Sequence, residues 1–142
     1  MAVDVYLNFN GNCRDAVEFY AQVFDTEATH MTTFGEAPPN PDYQLPEEVK
    51  HLIMHTRLNI LGSNVMFSDV FPEMPFIEGN NISLAIVHND LEDIKKLFHK
   101  LQEGGKVVME LQETFWSKGY GSLEDKFGIQ WQFNYDDGEQ FM

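Results

Sequence analysis

Two segments of the chain share one pattern, in which a short apolar strand is followed by an amphipathic helix. The first strand covers Val5–Phe9 and its helix runs to about Phe24, whereas the second strand covers 83–87 and its helix runs to about 102. Apolar residues recur at intervals of three and four along both helices, which is the spacing of one buried face. Because the segments lie 78 residues apart, the sequence predicts an internal repeat.

The predicted helices have similar starts. Asn12 and Asp90 are favourable N-cap residues, and Asp15 and Asp93 follow three residues later, near the positive end of each helix dipole. We therefore expect the two helices to begin alike. The residues expected to face the core are Val17, Tyr20, Ala21 and Phe24 in the first helix, and Leu91, Ile94, Leu97, Phe98 and Leu101 in the second.

Each helix is followed by three strand-like segments. These cover 26–34, 50–59 and 64–68 in the first half, and 106–112, 118–123 and 129–134 in the second. The sequence thus predicts an α+β fold made of two βαβββ units, about 3–69 and 80–136, within a single domain covering 1–142.

The first half contains an insertion. Aligning the turn glycines Gly62 and Gly128 reduces the offset between the halves from 78 to 66, so the first half is twelve residues longer. The extra residues fall in 36–47, where four prolines prevent a regular helix or strand. Such a loop is either a lid or interface element, or a tolerated surface insertion.

Charge and composition restrict the function classes. The 23 acidic and 9 basic residues give a net charge of −14, which disfavours binding to nucleic acid or to anionic membranes. No apolar run approaches a membrane span, and the N-terminus carries no secretory signal pattern. The single cysteine, Cys13, cannot form an internal disulfide. We expect a soluble cytoplasmic protein.

Several motifs resemble those of a known family. They are the segment 11–16 leading to Phe19-Tyr20, the segments 67–69 and 111–116, and Tyr120-Gly121, 125–128 and Trp131. The chain resembles the PhnB-like branch of the glyoxalase/bleomycin-resistance (vicinal-oxygen-chelate) superfamily, whose members are often labelled 3-demethylubiquinone 3-methyltransferase-like. The resemblance implies a curved mixed sheet around a central cleft, a small-molecule ligand and a homodimer.

The resemblance also implies positions for a metal. In that superfamily four strands each direct one side chain at a divalent ion, and carrying these positions over by motif gives Val5, Met66, Ser83 and Gln132. Divalent metal sites need His, Asp, Glu or Cys ligands, so this set is a poor one. We predict that the protein binds neither the usual metal nor another cofactor.

The segment 50–59 alternates between two faces. Leu52, Met54 and Leu58 are predicted to face the helix, and His51, Ile53, His55 and Arg57 to face away from it. On the cleft side, His55 and Arg57 could orient an anionic ligand or transfer protons. His55 is equally well explained as an incidental polar residue on a half-solvated strand.

The second half offers aromatic and amide side chains. Trp116 and Tyr120 could close over a planar ligand, and the alternative for Trp116 is a plug of the barrel mouth or a dimer interface. Phe115 is expected to pack in the core. Gln132 lies in a strip with Gln130 and Asn134, and neutral amides are suited to hydrogen-bonding recognition.

Other candidate groups have less specific roles. Glu110, Glu113 and Asp125 are interpreted as solvated surface carboxylates, and none is assigned as a general base. Cys13, in the first turn of its helix, either has a thiol pKa lowered by the helix N-terminus or is buried as a small hydrophobic residue.

The leading hypothesis is a metal-independent small-molecule-binding protein whose ligand contacts His55, Arg57, Met66, Trp116 and Gln132. One alternative is a metal-dependent lyase, isomerase or dioxygenase of the same superfamily. A third hypothesis, a methyltransferase, has less support because the chain contains no glycine-rich strand-to-helix loop of the nucleotide-binding kind. Whether the protein is an enzyme stays open.

Overall fold

The computed structural model describes residues 1–138 and divides into two units, Met1–Phe76 and a second one that begins at Ile77. The first unit contains β1 Val5–Phe9, α1 Cys13–Val23, β2 Met31–Thr33, β3 Ile53–Ile60 and β4 Ser63–Asp69, with short 3-10 helices at Phe34–Glu36 and Glu47–Val49. The second contains β5 Ser83–His88, α2 Leu91–Leu101, β6 Lys106–Gln112, β7 Tyr120–Glu124 and β8 Gln130–Tyr135. The predicted α+β class with two βαβββ units is confirmed.

Both units have the same sheet topology. The strand order is β1-β4-β3-β2 in the first unit and β5-β8-β7-β6 in the second. In each, the first strand pairs in parallel with the last strand, and the remaining pairs are antiparallel. Adjacent parallel strands require a crossover connection, and the helix after the first strand begins that crossover in each unit.

One helix covers one face of each sheet. In the first unit the ring of Tyr20 on α1 stacks on Phe67 at 5.8 Å between centroids, and Phe9 lies against Phe67 at 6.3 Å. In the second unit Phe98 on α2 meets Phe133 edge-on at 5.1 Å. Aromatic pairs at these separations stabilise beyond their buried area, so these contacts fix each helix on its sheet.

The start of α1 is held by a carboxylate from a distant strand. Asp69, the last residue of β4, is 3% exposed. Its Oδ1 accepts from the backbone N–H groups of Gly11 (2.8 Å) and Cys13 (3.0 Å), and its Oδ2 accepts from that of Ile53 (2.9 Å). A single buried side chain therefore joins three elements, α1, β3 and β4.

The expectation that the two helices begin alike is wrong. Asp90 caps α2 through its own side chain, which accepts from Asp93 N at 3.1 Å. Asn12 occupies the N-cap position of α1 but makes no side-chain cap hydrogen bond, and Asp69 instead accepts from the backbone N–H groups of Gly11 and Cys13 on either side of it.

The predicted side-chain orientations in β3 are wrong for the first residues of the strand. Thr56 pairs with Met31, but the register shifts before Thr33, which pairs with Ile53, so Met54 is the extra residue of a bulge. A bulge reverses the alternation of side chains, and Ile53 is therefore buried, at 0% exposed, on the same side as Thr56. The predicted strand 26–34 is also reduced to Met31–Thr33.

No helix within residues 1–138 is both long enough and apolar enough to cross a membrane.

We predict that replacing Asp69 with Asn destabilises the protein by about 2 kcal/mol. The Asp69 carboxylate accepts from three backbone N–H groups, and the NH₂ group of Asn would face at least one of them donor to donor. Denaturant unfolding followed by circular dichroism measures the change. Asp42→Asn, at an exposed loop position of the same unit, is the control and should shift stability by less than about 0.5 kcal/mol. Equal stability of the two variants would contradict the role assigned to Asp69.

Candidate functional site

The sheet face opposite the helix is polar in the first unit. Val65 and Phe67 of β4 are buried towards α1, so Met66 between them points to the other face. The register places Tyr6 and Arg57 level with Met66 on the neighbouring strands. A phenol, a thioether and a guanidinium thus form one row across β1, β4 and β3.

His55 lies on the same face and contacts Tyr6. The Tyr6 Oη and His55 Nδ1 atoms are 3.3 Å apart, and the ring centroids are 5.8 Å apart. The structure thus places the predicted residues His55, Arg57 and Met66 on one face of one sheet. Their contact with a ligand stays a prediction.

The corresponding face of the second unit carries the predicted amide strip. Trp131 and Phe133 are buried on the helix side of β8, so Gln132 points to the opposite face. Tyr120 Oη on β7 donates to Gln132 Oε1 at 2.8 Å. Gln130 Nε2 donates to Glu124 Oε1, also at 2.8 Å. These bonds hold the strip in a defined conformation.

One buried acceptor on this strip has no partner. Asn134 is paired in register with Tyr120, and its Oδ1 atom is buried without a hydrogen bond from any of residues 1–138. A buried acceptor that has lost water without gaining a donor costs about 1–3 kcal/mol. Such a group in a folded protein calls for an explanation. An ordered water molecule or a hydrogen-bond donor on a bound ligand would each provide one.

Trp116 belongs to the connection between β6 and β7, beside this strip. Its ring meets Tyr120 at 5.3 Å and Phe115 at 4.8 Å, both in T-shaped geometry, and it is 42% exposed. The expectation of core packing for Phe115 is wrong, because its side chain is 98% exposed. Ser117 has a buried side chain, and its hydroxyl oxygen lies 3.0 Å from the carbonyl oxygens of both Gly119 and Tyr135, which share its one proton.

The metal positions carried over from sequence need a correction in both units. Val5 pairs with Val65 and therefore lies on the helix side, so Tyr6 is the β1 residue level with Met66. Ser83 pairs with Gln130, and Ala85 is level with Gln132. Equivalent residues of the two first strands are 79 positions apart, whereas equivalent residues of the two helices are 78 positions apart.

The corrected residues do not fit a divalent metal. Tyr6 and Met66 in one unit, and Ala85 and Gln132 in the other, offer a phenol, a thioether, a methyl group and an amide in place of the imidazole and carboxylate ligands that such ions prefer. Within residues 1–138 there is also no group of three or more His, Cys, Asp or Glu side chains arranged to hold a metal. The absence of metal from the protein stays a prediction.

The interpretation of Asp125 as a solvated carboxylate is wrong. It is 2% exposed and accepts from Trp131 Nε1 at 2.8 Å and from the backbone N–H groups of Phe127 and Ile129. These bonds close the turn between β7 and β8, and Asp125 therefore has a structural role. Glu110 and Glu113 are exposed, as expected.

Cys13 is buried, and the pKa of its thiol is raised. Its side chain is 0% exposed, and burial, with a further contribution from the charge of Asp69, raises the pKa of the thiol well above its usual range, against the opposing effect of Arg14. The hypothesis of a lowered pKa is wrong, and the alternative of a small buried hydrophobic residue is confirmed.

Two βαβββ units, each with one helix on its sheet and its first strand paired in parallel with its last, define the class of glyoxalase-like proteins. The chain belongs to the family described as 3-demethylubiquinone-9 3-methyltransferase, whose model matches residues 2–134. The resemblance to PhnB-like members of the glyoxalase/bleomycin-resistance superfamily is thus confirmed.

Individual relatives match over nearly their whole length. Protein YjdN from Escherichia coli (strain K12) is 33% identical, over 94% of this chain and 95% of that one. The crystal structure of protein PA1353 from Pseudomonas aeruginosa is 34% identical, with a TM-score of 0.84 over 96% of this chain and 98% of that one. The PhnB protein from Bacillus cereus is 26% identical, with a TM-score of 0.77 over 96% and 100%.

We predict that Cys13 resists alkylation by iodoacetamide in the folded protein at about pH 8. The thiolate is the reactive form, and a raised pKa keeps the thiol protonated while burial blocks access. Mass spectrometry should find almost no modified protein in buffer and complete modification in guanidinium chloride, which serves as the control. Rapid alkylation of the folded protein would contradict this assignment.

Proposed function

We propose that this protein binds a small organic molecule and recognises it without a transition metal. The observation that carries the proposal is the buried, unpartnered Asn134 Oδ1 on the amide strip of the second unit. A ligand that donates a hydrogen bond to this atom, once a rotation of the Asn134 side chain exposes it, removes the cost of leaving it unpaired and gives binding a driving force that does not depend on a metal.

The neighbouring side chains support a planar ligand with polar groups on its edge. Gln132 uses its Oε1 to accept from Tyr120, so its Nε2 is left to donate to a ligand. Trp116 presents a partly exposed ring next to Tyr120, where it can lie against a flat molecule. Orientation by amides and an aromatic ring is typical of small-molecule sites.

We propose the same role for the polar face of the first unit. Arg57 is exposed there and carries a positive charge, and His55 is held by Tyr6. Together with Met66 they provide a cation, a titratable ring and a polarisable thioether for contact with a ligand. A cleft built by residues of both halves stays a prediction from the resemblance.

The family description names a methyltransferase, but two features of this chain argue against that activity. The link between β1 and α1 is short and lacks the glycine-rich pattern of nucleotide-binding loops. Moreover, the N–H groups of Gly11 and Cys13 at the start of α1 already donate to Asp69. These N–H groups are therefore not available to a cofactor. Nucleotide-binding α/β folds use the N–H groups at this position, the start of the helix after the first strand, to hold the cofactor.

We predict that Asn134→Leu raises the stability of the ligand-free protein by about 1 kcal/mol and removes the thermal shift caused by compounds that bind the parent. The two side chains share the same branched arrangement of heavy atoms, so the change replaces the unpaired acceptor with an apolar group of similar outline. A thermal-shift screen of metabolites and drug-like compounds supplies the binders. Asn89→Leu, at an exposed position of the same unit, is the control and should keep every shift.

The screen and the Asn134→Leu variant together distinguish a failure of the proposed binding function from a failure of the role assigned to Asn134. A screen in which no compound shifts the parent protein would count against the proposed binding function. Compounds that bind the parent and Asn134→Leu equally well would leave binding intact but remove Asn134 from the site.

We also predict that protein purified without a tag contains far less than one transition-metal ion per chain, because no group of three or more His, Cys, Asp or Glu side chains within residues 1–138 is arranged to hold a metal. Elemental analysis by mass spectrometry measures the content before and after dialysis against zinc. Near-stoichiometric metal that survives a chelator would overturn the metal-free proposal and favour the metal-dependent enzyme.

A further inference from the structure

The inserted segment of the first unit borders a pocket that is separate from the polar sheet face. The pocket has a volume of about 720 Å³, which lies within the range of small-molecule sites. Its lining includes Phe34, Tyr43, Leu45, Lys50 and Phe71. None of the row Tyr6, Met66 and Arg57, nor His55, belongs to the lining.

Backbone hydrogen bonds hold the walls of this pocket in place. Phe34 N donates to Leu52 O at 3.0 Å, and Gly35 N donates to Lys50 O at 2.9 Å, so the two ends of the inserted segment are tied together. Glu36 accepts from the backbone N–H and hydroxyl of Thr33, which lowers the pKa of its carboxyl.

The middle of the inserted segment is also restricted. Tyr43 N donates to Asn40 O at 3.1 Å, which closes a tight turn. Pro38, Pro39 and Pro41 lie just before or inside this turn and fix their own backbone angles. A pocket wall with little conformational freedom loses little entropy on binding, so the pocket is suited to bind a ligand in its present shape.

Three aromatic rings give the pocket its chemical character. Phe34 meets Phe71 edge-on at 5.5 Å between centroids, and Tyr43 lies against Phe71 at 5.7 Å. All three side chains retain some exposure, and Tyr43 is 43% exposed. Partly exposed rings in tilted arrangements present both faces and edges, which favours a flat aromatic ligand.

Charge at the pocket is contributed by Lys50. Among the described lining residues it is the one that is charged at neutral pH, and the lining contains no carboxylate. Its Nζ is 2.6 Å from Glu47 Oε1, in a pair that solvent reaches and that stabilises weakly. An anionic group on a ligand can therefore replace Glu47 as the partner of Lys50 at small cost.

We propose that this pocket binds a planar aromatic carboxylate, with its ring system against Phe34, Tyr43 and Phe71 and its carboxylate on Lys50. The site is distinct from the amide strip of the proposed function and lies entirely within the first unit. The inserted segment 36–47 then has a binding role.

Two matched probes test the proposal on the intact protein. 2-Naphthoate carries the ring and the negative charge, and 2-naphthamide has the same shape without the charge. Titration of ¹⁵N-labelled protein followed by NMR should show saturable shifts of Gly35, Gln44 and Phe71 with 2-naphthoate, and at least about tenfold weaker binding of the amide.

Two variants test how the charge of Lys50 contributes to the affinity, separately from the shape of the probe. Lys50→Met should weaken 2-naphthoate about tenfold and leave 2-naphthamide unchanged, because the aliphatic stem is kept. Glu47→Gln should strengthen 2-naphthoate a few-fold, because Lys50 loses its competing partner.

A third variant tests the ring contact. Tyr43→Ala removes a ring that is 43% exposed and contacts Phe71, and it should weaken both probes while the protein stays folded. Phe115→Ala, at an exposed position of the second unit, is the control and should leave both affinities unchanged.

The proposal is overturned if 2-naphthoate causes no saturable shifts, or if the shifts map to the strip around Gln132. Equal affinity for the two probes, or no effect of Lys50→Met, would overturn the assignment of an anionic ligand. None of these results depends on whether the amide strip binds its own ligand.

Discussion

The parallel pairing of the first strand with the last strand in each unit determines how the rest of the unit is arranged. In the first unit this pairing sets Phe9 beside Asp69 and Tyr6 beside Met66. Because side chains alternate along a strand, the register decides which residues meet the helix and which form the opposite face. Asp69 secures the arrangement, since its carboxylate accepts from the start of α1 and from the start of β3.

This arrangement gives each sheet one face that packs on its helix and an opposite face that carries polar side chains. Phe67 and Phe133 occupy equivalent positions against the helices, and Met66 and Gln132 occupy equivalent positions on the opposite faces. The faces opposite the helices carry amides, phenols, one guanidinium and the imidazole of His55, without a group of three or more metal-binding side chains among residues 1–138. The proposed binding function relies on hydrogen bonds and ring contacts, and on the buried Asn134 Oδ1, which has no donor among residues 1–138.

The buried carboxylates serve the fold. Asp69 and Asp125 are both nearly inaccessible, and each accepts hydrogen bonds from three N–H groups. A carboxylate whose oxygens are occupied in this way is not free to act as a general base on a substrate. Reactive side chains are equally scarce around α1, where Cys13 is buried and its thiol pKa is raised. Asp69, Asp125 and Cys13 therefore contribute to the fold.

The sequence by itself determined the βαβββ repeat, the family and most residues of the buried helix stripes, because each depends on local periodicity, turn residues or short motifs. Tertiary structure decided the side on which Val5 and Ile53 lie, since register and bulges arise from pairing between strands that are distant in the chain. It also decided that Asp69 holds the start of α1 while Asn12 makes no cap hydrogen bond, and that the inserted segment lines a pocket. These features depend on contacts across tens of residues, which no local pattern encodes.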